Sequence, residues 1–270
     1  MKIKQFFDSH PVFRYEEFAE YMQQQGIKRP ASWRQQLNYH HKVGNLIHIR
    51  RFLYAVKPTP INENDFWIDP YLVAGKATTN AILSYHTALE LHGLAYTTFQ
   101  ELTFFSSKSV KTFAFQAQQF RSITIPKSLV RQNRLEFEEI IRQGISIKVT
   151  GLERTIVDIL DRPDLGGGWE EVWRSLDHLV HFDPKKLVDY ALLLNNATTI
   201  AKVGFFLEQL PPHLAIDPSY IEKLLLHRPK QPHYMERDQR GEGKYYEKWR
   251  LIVPLQIVER KWEEPNVGDV

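Results

Sequence analysis

His86 and Glu90 stand four residues apart, with His92 close by. That spacing puts an imidazole and a carboxylate on one face of a helix, as half of a metal site would need. No second ligand set accompanies them, and there is no HExxH run. Glu153 and Asp158 are a second candidate, because paired carboxylates can do acid–base or metal-assisted chemistry. No neighbouring motif completes that site. Gly166-Gly167-Gly168 precedes a helix and could cradle a phosphate. It lacks the GxxxxGK[ST] pattern and follows no strand, and the chain has no GxSxG or GxGxxG. Each group also has a scaffolding reading. His86 and Glu90 sit in a buried helix packed through Leu83, Ala88, Leu91 and Leu94, with His92-Gly93 as its polar end. Arg154 and Asp158 pair across one turn. Glu153 suits the dipole of a helix start, and the glycines form a flexible helix–helix joint. An enzyme would need His86, Glu90, Glu153 and Asp158 to converge from two separate helices. The chain is read as non-enzymatic, with no cofactor and no metal.

A different chemistry, recognition of duplex DNA, is written into residues 29–51. A helix over 31–43 places Trp33, Leu37 and His40 or His41 in one row, assigned to a core. The opposite face then shows Arg34, Gln35, Asn38 and Lys42. Arginine can bond guanine through two hydrogen bonds, and glutamine or asparagine can do the same with adenine. Arg29 and Ser32 flank the helix start, where backbone N–H groups and short polar side chains grip phosphate. His48, Arg50 and Arg51 lie on a following hairpin and are expected against the DNA backbone or minor groove.

These residues need a scaffold, and the spacing of apolar positions predicts one. Helices are expected near residues 3–9, 16–25 and 31–43, followed by a two-stranded hairpin over 46–56 with Arg50-Arg51 at its tip. That order reads as a winged helix-turn-helix domain spanning residues 1–60. Pro58-Thr59-Pro60-Ile61-Asn62-Glu63-Asn64 reads as a linker. A body domain over 65–270 starts with helices near 70–75 and 79–92. Strands follow near 101–106, 112–116, 121–125, 135–142 and 145–150. Helices near 151–160, 168–180, 184–194, 198–210 and 218–226 come next, then an extended tail over 233–258. The fold class is α+β, with one antiparallel sheet in the body.

Bulk properties agree with this division. The chain has 270 residues, 43% hydrophobic and 25% charged, enough for two cores. Residues 1–60 hold ten Lys or Arg against four acids, whereas the other 210 hold 25 against 28. A basic head on a mildly acidic body is expected where one end meets phosphate and the other meets protein. There are no cysteines, so disulfides and thiolate metal sites are excluded. No apolar run approaches the roughly 18–20 residues that span a membrane, and the N-terminus does not read as a signal peptide. The expected location is the cytoplasm.

Three segments carry a family resemblance. The first is the hairpin Gly44-Asn45-Leu46-Ile47-His48-Ile49-Arg50-Arg51-Phe52-Leu53-Tyr54. The second is Ser84-Tyr85-His86-Thr87-Ala88-Leu89-Glu90-Leu91-His92-Gly93-Leu94. The third is Leu152-Glu153-Arg154-Thr155-Ile156-Val157-Asp158, followed by Gly166-Gly167-Gly168. Together they resemble the antitoxin and transcriptional-regulator half of AbiE-type (abortive infection, type IV) toxin–antitoxin systems, over roughly residues 1–210. One departure is Phe52, where the family often has glycine before Leu-Tyr, so the wing turn is expected to be shaped differently. The resemblance implies an autorepressor that binds inverted repeats in its own promoter. It also implies an antitoxin against a nucleotidyltransferase-like toxin, acting without a stable complex. Ser84, His86, His92, Gly93, Glu153, Arg154, Thr155 and Asp158 are the family-motif positions, read as structural. Paired half-sites leave room for cooperative self-association on DNA. The alternative is a plain winged-helix regulator whose body binds a ligand or oligomerises.

Overall fold

Phe6, Phe7, Phe13 and Phe18 collapse on one another, with Met22, Trp33, Leu37 and Leu46 closing the cluster. Burying side chains of this size contributes about 1.5–3 kcal/mol each. The elements that present them are α1 (Lys2–Ser9), β1 (Val12–Arg14), α2 (Tyr15–Gln24), α3 (Pro30–Lys42), β2 (Leu46–Arg50) and β3 (Leu53–Val56). The computed structural model describes residues 2–57, 66–126, 129, 136–236 and 242–260. The expected linker and the start of the body at Asp65 lie outside the described residues.

The hairpin is wider than expected. β1 adds to it, giving a three-stranded antiparallel sheet of order β1-β3-β2, with Val12 opposite Ala55 and Leu46 opposite Val56. A three-residue strand after Pro11 has no period to betray it. Phe52 sits at φ 67°, in the left-handed region that costs an L-residue roughly 1–2 kcal/mol. Phe52 thus holds, at the cost of strain, a backbone conformation that favours glycine.

Two units divide the chain, and neither is one continuous stretch. The first comprises residues 1–84, 99–125 and 137–149. Besides the head it holds α4 (Pro70–Gly75), β4 (Ile82–Leu83), β5 (Glu101–Ser106), β6 (Phe113–Phe115), β7 (Gln118–Thr124), β8 (Phe137–Arg142) and β9 (Ile145–Thr150). These strands form a six-stranded sheet of order β6-β7-β5-β4-β9-β8. Within this unit the head is tied to the sheet region by ionic and polar contacts. Lys76 pairs with Glu17, and Arg14 Nη1 donates to the carbonyls of Lys76 and Ala77 at 3.2 and 3.1 Å.

Two expectations are corrected here. The six-stranded sheet is mixed, not antiparallel: β5 runs parallel to β7 and β4 parallel to β9. Hairpin spacing suggests antiparallel neighbours, but β6 pairs back onto β7 and leaves β7 to meet β5 in parallel. The helix expected over 79–92 is also broken. Ile82 and Leu83 are a strand, and the helix α5 (His86–Leu91) begins only after Tyr85 at φ 54°, a conformation no helix accommodates.

The second unit comprises residues 85–98, 126–136 and 150–270. It contains α5, α6 (Leu152–Asp161), α7 (Trp169–Leu176), α8 (Pro184–Leu194), α9 (Ala197–Leu207), α10 (Pro218–Leu225) and α11 (Leu255–Val258). Expected helix ends shift by up to four residues. α8, α9 and α10 start on Asp183, Asn196 and Asp217, whose side chains accept from N–H groups of the first turn. The tail forms β10 (His233–Tyr234), β11 (Gly243–Tyr246) and β12 (Leu251–Pro254), with β10 parallel to β12 and β11 antiparallel to it. Gly166-Gly167-Gly168 leads into α7 as a turn: Gly167 and Gly168 sit at φ 94° and 92°, and Gly168 N–H donates to the Pro163 carbonyl at 2.7 Å. Among the described residues, no helix is long and apolar enough to cross a membrane.

Trp249 is buried against Gly204 of α9, and a Cβ there would lie 2.1 Å from the indole ring. Gly204→Ala should therefore destabilise the protein by about 1–3 kcal/mol through overpacking, read from urea unfolding. An unchanged midpoint would show that the Trp249 contact yields freely.

Candidate functional site

α3 is built to hold one face and offer the other. Pro30 occupies its first turn, and Trp33 and Leu37 are buried. Trp33 Nε1 donates to the Ile27 carbonyl at 2.7 Å, which locks the turn between α2 and α3. Arg34, Gln35, Asn38 and Lys42 are all exposed, on the side away from the buried row. Arg29, at the N-cap, is exposed and Ser32 is half-buried. His41 bonds the Leu46 carbonyl through Nδ1 at 3.1 Å, tying the end of α3 to β2. His40 packs edge-on against Phe7. Tyr39, an aromatic outside the apolar row of Trp33 and Leu37, is 58% exposed on the open face.

The hairpin residues divide into two kinds. Arg51 is exposed beside the Phe52 ring, and His48 is exposed beside Tyr54. Arg50 turns inward. Its guanidinium lies 4.6 Å from the centre of the Phe113 ring on β6. Burial and the nearby Arg14 hold its pKa below the usual arginine range. Arg50 thus docks the hairpin onto the sheet, and Arg51 is the cation left at the tip. Arg29, Arg34, Lys42 and Arg51 have no acidic partner among the described residues.

The candidate catalytic groups meet other partners. His86 lies between two carboxylates, with Nδ1 3.3 Å from Glu90 and Nε2 3.0 Å from Glu171. Glu171 on α7, missed in the sequence, also accepts from Thr97 N–H at 3.0 Å, Thr97 Oγ1 at 2.8 Å and Ser175 Oγ at 3.2 Å. Burial acts to raise the Glu171 pKa, but the hydrogen bonds from Thr97 and His86, with the His86 charge, prevail and hold it below the usual carboxylate range. Glu153 accepts the Asp183 N–H at 2.8 Å, setting the start of α8. Asp158 faces Arg154 at 3.2 Å and the Tyr190 hydroxyl at 2.8 Å. Thr155 folds back onto Thr150 and Gly151, His92 Nε2 meets the Thr150 carbonyl at 2.8 Å, and Gly93 turns the chain at φ 71°. Ser84 is buried beneath Thr103, which donates to its carbonyl. His86, Glu90, Glu153 and Asp158 therefore do not converge. Among the described residues, no group of three or more His, Asp or Glu side chains could hold a metal ion.

No protein-family model matches the chain, and no curated protein matches it. The fold is similar to the crystal structure of the RV2827C protein from Mycobacterium tuberculosis, with a TM-score of 0.62 at 15% identity. That likeness covers 97% of this chain and 94% of the other.

Two consequences of the buried Asp158 can be measured. Asp158→Ala leaves the Arg154 guanidinium without its carboxylate and should cost about 3–5 kcal/mol, against about 1–3 kcal/mol for Tyr190→Phe. Burial also pushes the Asp158 carboxyl up to about 6, with Arg154 and Tyr190 opposing the rise. Between roughly pH 4 and 6 the folded state then keeps a proton that the unfolded state has released. Stability from this group falls as pH rises through that window. The wild type should show the slope and Asp158→Asn should lack it; identical pH profiles would contradict the assignment.

Proposed function

We propose that the chain is a sequence-specific DNA-binding regulator that represses its own promoter and serves as the antitoxin of a type IV toxin–antitoxin pair. The observation that carries the DNA-binding half is the order α1-β1-α2-α3-β2-β3, with an exposed, acid-free face on the third helix. That is the element order of a winged helix-turn-helix, whose recognition helix enters the major groove. Arg34, Gln35 and Asn38 read base edges. Arg29, Ser32, Lys42, His48 and Arg51 meet phosphates, which fix register and give affinity without sequence preference. Arg50 positions the hairpin from beneath.

The antitoxin half rests on the resemblance of the three quoted segments to AbiE-type regulators. The polar residues of the second and third segments that lie in the second unit, His86, Glu153 and Asp158 among them, join its helices. In this reading the protein acts in the cytoplasm and counters a nucleotidyltransferase-like toxin without a stable complex. A plain regulator with a ligand-sensing body is the second reading. It draws on a pocket of about 330 Å³ in the second unit, lined by Trp173, Leu179, Phe206 and Leu210 together with Asp177 and Gln209. Co-expression with the product of an adjacent nucleotidyltransferase gene separates the two: rescue of growth supports the antitoxin, and no rescue favours the plain regulator.

The base-reading role is tested by binding to the upstream DNA and to scrambled DNA across a salt series. Arg34→Ala with Gln35→Ala should lose about 1–3 kcal/mol per base contact on the specific site alone. Arg51→Ala should weaken both DNAs alike and lower the salt slope by about 1. Protection against the toxin should survive the α3 double change. Equal loss on both DNAs from that change would refute base reading by α3.

A further inference from the structure

A second basic element in the first unit stands outside α3 and the hairpin. It is the loop from β5 to β6, Ser107-Lys108-Ser109-Val110-Lys111-Thr112, with two cations, three hydroxyls and no acid. Lys108, Ser109, Lys111 and Thr112 are exposed. Neither lysine has an acidic partner among the described residues. The loop is held in shape from inside. Ser122 Oγ accepts from Val110 N–H at 2.9 Å and donates to the Val110 carbonyl at 3.1 Å. Asn80 donates to Ser107 Oγ. Little ordering is left to be done when a ligand arrives.

Its position matters as much as its charge. Phe113, the residue that follows Thr112, is the ring over which Arg50 lies. The loop therefore ends beside the hairpin whose exposed cation is Arg51. Its side chains are ammonium groups and hydroxyls, which serve phosphate oxygens well. It has no arginine, asparagine or glutamine to read a base edge with paired hydrogen bonds.

We propose that the loop 107–112 is a second phosphate-contacting element, gripping the duplex backbone beside the hairpin and lengthening the bound site. This rests on the DNA-binding reading above. Binding of the full chain to its upstream DNA and to scrambled DNA should be measured from 50 to 300 mM salt (roughly the range where counterion release dominates). Lys108→Ala with Lys111→Ala should weaken both DNAs by the same factor, roughly ten- to thirtyfold at physiological salt, and lower the salt slope by about 2. Lys108→Arg with Lys111→Arg should restore the wild-type slope, which a purely structural defect in the loop would not allow. A wild-type slope in the alanine variant overturns the loop's role while leaving the α3 reading intact. Absence of wild-type binding to either DNA overturns both.

Discussion

Arg154 carries its guanidinium into the interior of the second unit, where its side chain is only 1% exposed. A charge taken out of water is costly unless an opposite charge and good hydrogen bonds meet it there. Asp158 supplies the charge from one turn along α6. Tyr190 supplies a hydroxyl to that carboxylate from α8, and its ring lies 5.5 Å from the guanidinium carbon. Pairing one arginine with Asp158 therefore links α6 to α8 through Tyr190. Glu153 reinforces the same junction by accepting the N–H of Asp183, the residue that caps α8. His86 and Glu171 repeat the logic between α5 and α7, with Thr97 and Ser175 filling the remaining acceptor positions. The polar residues that most resembled a site are thus occupied in joining helices.

The head follows the opposite logic. Its aromatic core buries the apolar side of α3 and leaves the other side open. Cations without acidic partners cost little on a surface, where water solvates them. They gain value beside a polyanion, because each phosphate they neutralise releases condensed counterions. Arg50 and Arg51 show how finely the division runs. They are adjacent in sequence, but Arg50 ends β2 and Arg51 begins the turn. One lies over Phe113 and the other stays at the tip. The basic loop before β6 ends at Phe113, the ring under Arg50, so the open cations of the first unit lie on three elements and not on one helix.

Much of this was legible in the residues themselves. The helices of the head, the hairpin with its basic tip and the long helices of the second unit follow from apolar spacing, prolines and Asp or Asn caps. The open face of α3 follows from the placement of Trp33 and Leu37 alone. The pairing of Arg154 with Asp158 follows from a four-residue separation on a helix. These are local properties, and a short window of sequence contains what decides them.

Other features belong to distance in sequence and closeness in space. The strand at Ile82-Leu83 exists because β5 and β9 flank it, and nothing within 79–92 announces a break except a tyrosine forced to φ 54°. The parallel pairing of β5 with β7 depends on where β6 turns back. Glu171 is 85 residues from His86, Tyr190 is 32 from Asp158, and Phe113 is 63 from Arg50 in the same numbering. The sequence by itself determined which residues carry charge and which helix faces are apolar. The tertiary structure alone decided which charges are buried against a partner and which stay open. A charge's fate depends on the dielectric and the groups around it, and those are assembled from residues that no local window contains.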